Sequence, residues 1–238
     1  KIADSMKAYN ELVDSQYDDY DKSEFDMADP KYGKTFVKYV EGGTMTTIWG
    51  MRSLGINPTD GKEIYMRPDG TLTYDWNASD QIVLGDTEPK AQGSFGVNVS
   101  YKGIYLNLSF MYQWGAQIYN STLLEKVESA DIRNSNVDKR ILAERWKKPG
   151  DVVPYYDLKD NRKVKPTTRF VQDYNLLSLS GLSLGYDFSQ DLIKKWKLTS
   201  LGLRFNANDL CRWSSVKEER GTSYPYARNF SFTLNVGF

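Results

Sequence analysis

The clearest pattern in the chain begins near residue 93. Phe95, Val97, Val99 and Tyr101 are apolar at odd positions, and Gly96, Asn98 and Ser100 between them are small or polar. Lys102-Gly103 follows. Then Ile104, Leu106, Leu108, Phe110, Tyr112 and Trp114 alternate with Tyr105, Asn107, Ser109, Met111 and Gln113. Successive side chains of a strand point to opposite faces, so this pattern predicts a β-hairpin with one apolar and one polar face. The period returns after Asn175. Leu177 and Leu179 share one parity, and Leu182, Leu184, Tyr186 and Phe188 share the other. The switch at Ser180-Gly181 predicts a β-bulge that brings the apolar side chains back to one face. A short connection, Gln190–Thr199, leads into Leu201, Leu203, Phe205 and Ala207, which alternate with Gly202, Arg204, Asn206 and Asn208. A loop is expected from Asp209 to Arg228. The last strand carries Phe230, Phe232, Leu234, Val236 and Phe238, spaced by Ser231, Thr233, Asn235 and Gly237.

The remainder is less regular. Met6, Tyr9, Leu12 and Val13 have the spacing of a short amphipathic helix. Between residues 30 and 92, turn signals such as Gly42-Gly43, Asn57-Pro58, Asp60-Gly61 and Pro68-Asp69-Gly70 separate β-rich pieces. Those pieces are Thr35–Val40, Thr46–Trp49, Ile64–Met66 and Leu72–Trp76. Residues 116–174 are long, charged and irregular, with Leu123–Val127 and Val137–Trp146 read as short helices. The division expected is a loop region over 1–92 and the last five strands of a barrel over 93–238.

Alternation alone fits any antiparallel sheet with one face on a core and one in water. Three features point instead to a membrane barrel. The apolar run Ile104–Trp114 approaches the ~9–11 residues that a tilted strand needs to cross a bilayer, and aromatic residues gather at strand ends, where an interfacial girdle sits. Connections alternate between short and long, as in outer-membrane barrels. The opposite face carries Asn98, Asn107, Gln113, Arg204, Asn206 and Asn208, which a packed core accepts only with partners but a water-filled or plugged lumen accepts freely. Five strands cannot close a barrel, and an open edge in lipid leaves backbone groups unpaired. The missing strands therefore belong to sequence outside this chain. The chain begins at Lys1 without an initiator Met and reads as a piece of a longer protein.

Composition narrows the chemistry. The chain has 31 basic and 31 acidic residues, which disfavours a dedicated nucleic-acid binder. It contains no histidine, so the usual general base and the commonest metal ligand are missing. Its single cysteine, Cys211, has no neighbour at metal-ligand spacing. The carboxylates Glu218-Glu219 and Asp157 with Asp160 show no pairing that would raise one pKa, so no enzymatic activity, cofactor or metal is expected. The acidic stretch Asp18, Asp19, Asp21, Asp26 and Asp29 lacks the ligand spacing of a calcium loop and reads as a solvated segment, with calcium left open.

Several runs have a familiar order and spacing: Tyr39-Val40-Glu41-Gly42-Gly43, Ile48-Trp49-Gly50, Ser53 through Lys62, Leu84 through Pro89 and Phe110 through Gly115. So do Leu177 through Tyr186, Asn206 through Leu210 and Tyr224-Pro225 through Phe238. Together, from about Tyr39 to Phe238, they resemble the C-terminal barrel portion of SusC/RagA-type TonB-dependent transporters. The resemblance implies an all-β fold, the C-terminal part of a large antiparallel transmembrane β-barrel of about 22 strands in the bacterial outer membrane, with long extracellular loops. It implies import of a bulky nutrient, an oligosaccharide first and a peptide second. The implied partners are the rest of the barrel with its plug, a SusD-like surface lipoprotein, the TonB complex through the missing N-terminal part, the barrel-assembly machinery and outer-membrane lipid.

Trp146, Tyr155, Tyr156, Trp213, Tyr224 and Tyr226 fall in expected surface loops. They are candidates for stacking on a ligand, and more readily for pinning loops to one another or to a lid. Arg169 and Arg228 are candidates for hydrogen bonds to ligand hydroxyls or carboxylates, or for salt bridges between loops. Phe230, Phe232, Leu234, Val236 and Phe238 are expected to face lipid and to carry the assembly signal. A passive barrel and a soluble glycan-binding β-domain are the competing readings.

Overall fold

The computed structural model describes residues 2–22, 35–129, 138–157, 159–160, 164–217 and 228–238. The chain divides into two compact units. One comprises Lys1–Glu88 with Gln117–Gln172, the other Pro89–Ala116 with Asp173–Phe238. Among the described residues no helix is long and apolar enough to cross a membrane.

The first unit opens with helix α1, Ile2–Lys22. It is longer than Met6–Val13 alone suggested. Its buried side chains are Val13 and Tyr17, one turn apart, while Tyr9 and Leu12 are exposed. Val13 and Tyr17 cluster with Ala78, and Phe36 and Trp76 pack against them. Five short strands follow: β1 (Thr47–Gly50), β2 (Arg52–Ile56), β3 (Glu63–Met66), β4 (Leu72–Thr73) and β5 (Ile82–Asp86). They make a two-stranded sheet, β1-β5, and a three-stranded sheet, β2-β3-β4.

Three expectations are corrected here. Thr35–Val40 joins no sheet. The Asn10 side chain donates to the Tyr39 carbonyl at 2.7 Å and accepts from the Tyr39 amide at 2.9 Å, so a helix amide stands where a neighbouring strand would be. The strand expected over Leu72–Trp76 stops at Thr73, and Trp76 turns to donate its indole N–H to the Pro166 carbonyl at 3.1 Å. The short helix read over Leu123–Val127 is present, as a helical turn at Ser121–Leu123 that runs into a wide π-type turn at Leu124–Glu128, whereas the one read over Val137–Trp146 shrinks to a turn at Arg140–Ala143.

The second unit is one antiparallel sheet in the order β10-β9-β8-β7-β6. Its strands are β6 (Ala91–Tyr101), β7 (Ile104–Tyr119), β8 (Val171–Asp187), β9 (Ser200–Ser214) and β10 (Asn229–Gly237). Three strands therefore run longer than their alternation indicated. β7 continues to Tyr119, β8 starts at Val171, and β9 passes through Asp209 to Ser214 instead of yielding to a loop. The β6–β7 turn has φ of 48° at Lys102 and 86° at Gly103. That is the primed geometry whose twist matches the flanking strands, and glycine adopts it freely. Asp187 donates its amide to the Gly103 carbonyl at 2.8 Å, which seats this turn beside the end of β8.

An irregularity lies opposite Ser180, where the parity switch placed it, but the extra residue is on the partner strand. Leu179 pairs with Cys211 and Gly181 with Asn208, so two steps along β8 face three along β9. Asp209 takes the strained position at φ 56°. Aspartate tolerates the left-handed region better than most residues, because its short side chain bonds locally.

Register puts like with like across the sheet. Phe95 opposes Phe110 with rings stacked at 5.0 Å, and Phe205 opposes Phe232 at 4.8 Å. Asn98 opposes Asn107. Asn206 accepts from the Ser183 hydroxyl at 2.7 Å and opposes Ser231. On this polar side Tyr105 lies across Gly185 and carries Arg204 over its ring at 5.5 Å. A Cβ at 185 would run into the Tyr105 ring. Gly185→Val should therefore expel the ring and lower the urea stability of the assembled full-length protein by about 1–3 kcal/mol. Adding Tyr105→Ala should cost less than the sum of the two single changes. Simple additivity would show that the ring does not depend on the bare glycine.

Candidate functional site

The most buried polar group of the first unit is the Glu63 carboxylate on β3, with 0 % of the residue exposed. Alternation within β3 turns Glu63 and Tyr65 to the same buried side. Arg169 comes from a short 3₁₀ turn, Thr168–Phe170, just before β8. It donates from Nε to Glu63 Oε1 at 2.9 Å and from Nη2 to Glu63 Oε2 at 3.0 Å, a bidentate fork. Its Nη2 also reaches Glu128 Oε1 at 3.1 Å, and Nη1 donates to the Pro154 carbonyl at 2.7 Å. Tyr65 donates to Glu63 at 3.2 Å, and Tyr156 makes a short hydrogen bond to the same oxygen. The guanidinium lies over the rings of Tyr156 at 4.7 Å and Phe170 at 4.9 Å. Arg145 closes the cluster by donating to the carbonyls of Val127, Glu128 and Tyr156.

An apolar shell of Ile56, Leu124, Val127, Ile141, Tyr155 and Phe170 surrounds these charges. In so dry a setting, an unpaired charge would be costly. Burial alone would raise the Glu63 carboxyl, but the Arg169 charge and the donors from Arg169, Ser53 and Tyr156 outweigh it and hold the group below its ordinary value. Glu128 has fewer compensating donors, and burial pushes it up. One Oε of Glu128 has no hydrogen-bond partner. The cluster thus has one firmly ionised carboxylate, and a second that burial pushes toward its acid form. It stitches together segments up to 106 residues apart in sequence, a fixing role.

The sequence candidates divide accordingly. Tyr155 and Tyr156 are interior rather than surface side chains, and Arg169 is spent on carboxylates. Trp146 packs against the same core, donates to the Pro58 carbonyl at 3.0 Å and covers Gly61. The structure therefore brings Trp146, Tyr155, Tyr156 and Arg169 together as a fastening. Trp213 is exposed on β9 opposite Leu177, and Arg228 is exposed just before β10. Tyr224, Tyr226 and Glu218-Glu219 lie outside the described residues, as do the side chains of the acidic stretch from Asp18 to Asp29. Among the described residues no three metal-ligating side chains converge. Cys211 is exposed on β9. Glu63, Glu128 and Arg145 were not singled out by pattern. The available signal was Glu63 falling in step with Tyr65 in a short apolar strand.

In the second unit both faces of the sheet carry exposed side chains. Phe232 is 82 % and Leu234 61 % exposed, with Phe230, Val236 and Phe238 also exposed on β10 or just past it. Leu203, Leu184, Val97 and Phe95 continue this apolar exposure across the sheet. At the intervening positions, Asn98, Asn107, Arg204 and Asn208 are exposed, and Gln113 and Asn206 half-buried. The two faces thus differ in polarity while neither is covered within this unit.

No protein-family model matches the chain. A TonB-dependent receptor of Formosa agariphila, receptor P3, is 25 % identical over 227 residues, which is 87 % of this chain and 22 % of that protein. A second one, receptor P39, is 25 % identical over 140 residues, 57 % of this chain and 13 % of that protein. Among solved structures, the RagAB peptide transporter superposes with a TM-score of 0.68 at 19 % identity, over 81 % of this chain and 22 % of that chain. The RagAB peptide importer in its open-open state gives 0.66 at 18 % identity over the same shares. The chain spans about a fifth of the length of receptor P3 and of the RagAB chain. Over that share the chain has the fold of a part of these transporter barrels. The likeness read from sequence motifs agrees with the curated relatives.

The ion cluster yields a pH-signed prediction. The Glu63 carboxyl titrates lower in the folded unit than its ordinary 4.5. Its contribution is therefore full above that value and lost as pH falls through the folded value. Glu128 is raised, so ionising it opposes folding at neutral pH. Glu63→Gln should weaken hydrogen-exchange protection of residues 51–66 and 164–170 at pH 7 by about 3–5 kcal/mol. Glu128→Gln should change it by less than about 1 kcal/mol. Equal losses would contradict the assignment of charge to Glu63.

Proposed function

We propose that this chain, a SusC/RagA-type barrel segment, supplies the last five strands and part of the extracellular loop structure of an active outer-membrane nutrient importer. The observation that carries this reading is the second unit itself. It is a single sheet with exposed apolar side chains on every strand, and its other face carries amides, hydroxyls and Arg204. Water penalises such an apolar face, and monomeric soluble proteins rarely expose so much apolar surface in one patch. Hydrocarbon accepts it at no cost. A hydrated lumen accepts the other face.

Orientation follows from the connections. The two-residue β6–β7 turn and the short β8–β9 connection lie at one end, which we assign to the periplasm. The segments of the first unit precede β6 or join β7 to β8, the long-loop positions that face the outside. On this reading the Glu63–Arg169–Glu128 cluster makes the loop unit rigid. A rigid rim presents a constant surface to cargo and to a SusD-like lipoprotein lid. The cargo is a bulky oligosaccharide or peptide. Energy reaches the barrel through TonB and a plug encoded upstream, and the aromatic-ended β10 is read by the assembly machinery.

Face identity is directly testable. Arginine at the bilayer midplane of a barrel costs ~2–4 kcal/mol on the lipid face. Leu203→Arg and Leu234→Arg in the full-length gene should reduce heat-modifiable, folded barrel in the outer membrane, while Asn206→Arg should leave it near wild type. Uptake by cells carrying the wild-type gene should stop on deletion of tonB. Uptake that survives that deletion would point to passive diffusion.

A further inference from the structure

The apolar face of the sheet is not flat. A groove of about 380 Å³ opens on it, lined by Ile104, Leu184, Tyr186, Leu203, Phe205 and Phe232 together with Gly185 and Arg204, and its exposed walls are almost wholly apolar. It begins in the first rows above the short-turn end. Ile104 directly follows Lys102-Gly103, and Tyr186 directly precedes Asp187, whose amide bonds Gly103. That end is unusually basic. Lys102 is exposed on its turn, with Nζ 5.2 Å above the Tyr101 ring. The β8–β9 connection adds Lys194, Lys195 and Lys197, all exposed, on a helical turn that starts at Gln190. Its acidic groups are Asp187 and Asp191. The same turn buries Ile193 but leaves Leu192 and Trp196 exposed, Trp196 to 57 %.

These features have one chemistry in common. An exposed Trp and Leu beside lysines make an interfacial element, apolar into the acyl boundary and cationic at headgroup level. Basic side chains next to a membrane-embedded surface attract anionic lipid. We propose that the groove and the lysines of the two short turns form a binding site for an acidic phospholipid of the leaflet that meets those turns. One acyl chain lies in the groove between Ile104, Leu203 and Phe232. The phosphate sits among Lys102, Lys194, Lys195 and Lys197. The role is to fix this part of the barrel, where β6 turns into β7 and β8 into β9, at a set depth in the leaflet. The inference rests on the membrane-spanning reading of the sheet.

The test uses the full-length protein in detergent, titrated with phosphatidylglycerol and separately with phosphatidylcholine and followed by native mass spectrometry. Wild type should retain phosphatidylglycerol at least about tenfold more strongly. Changing Lys102, Lys194, Lys195 and Lys197 together to Gln should remove that preference and leave phosphatidylcholine retention unchanged. Leu184→Trp, which fills the groove, should weaken both lipids. Heat-modifiable migration on a gel checks each variant for an intact barrel. Equal retention of the two lipids by wild type, or an unchanged preference in the folded Lys→Gln variant, overturns the site while the barrel stands. A wild-type protein that forms no heat-modifiable barrel overturns both.

Discussion

On the barrel reading proposed above, backbone pairing inside hydrocarbon is the constraint on which the rest of this sheet depends. An N–H or C=O without a partner costs several kcal/mol in lipid, so each strand must be bonded along its length and each turn must return the chain in register. The Lys102-Gly103 turn and the nine paired positions of β10 on β9 meet that demand without interruption. An interruption, at Asp209, lies opposite Ser180. Past it, β8 and β9 carry Leu177, Trp213 and Arg212 in place of a continuous apolar row. β6 and β10 remain the two edges of this sheet, and only further strands can pair them.

The loop unit is held by a different logic. Its strands are two to five residues long, too short to fix themselves. Fixing comes from a helix amide that stands in for a strand at Tyr39, from the segment 164–170 bonded to Met51 and Ser53, and from the Arg169 fork. Buried ion pairs contribute little net stability against an apolar alternative, but removing one partner is expensive. Such a cluster makes loose arrangements of the loops costly.

Much of the sheet was legible in the sequence because period-two alternation is local and Phe, Leu and Val mark one parity. The hairpin at Lys102-Gly103 and the last strand could be read residue by residue. β9 beyond Asn208 could not, because a left-handed Asp209 breaks the alternation that defines a strand. For the same reason the bulge was assigned to β8: parity within one strand does not reveal which of two partners holds the extra residue. The Glu63–Arg169 pair was out of reach, since 106 residues separate its members and neither has a distinctive neighbour. Tyr155-Tyr156 drew attention for their aromaticity, which marks cores as well as binding surfaces.

The opposite environments of the two faces of β10 and β9 can be measured directly. In the full-length protein with Cys211 replaced by Ser, single cysteines at 203, 205, 230, 232 and 234, and at 204, 206, 231 and 233, would each carry a nitroxide label in lipid vesicles. The account predicts that collision with oxygen dominates at the first set and collision with a water-soluble nickel chelate at the second, alternating residue by residue. Equal accessibility to both reagents along either strand would contradict it.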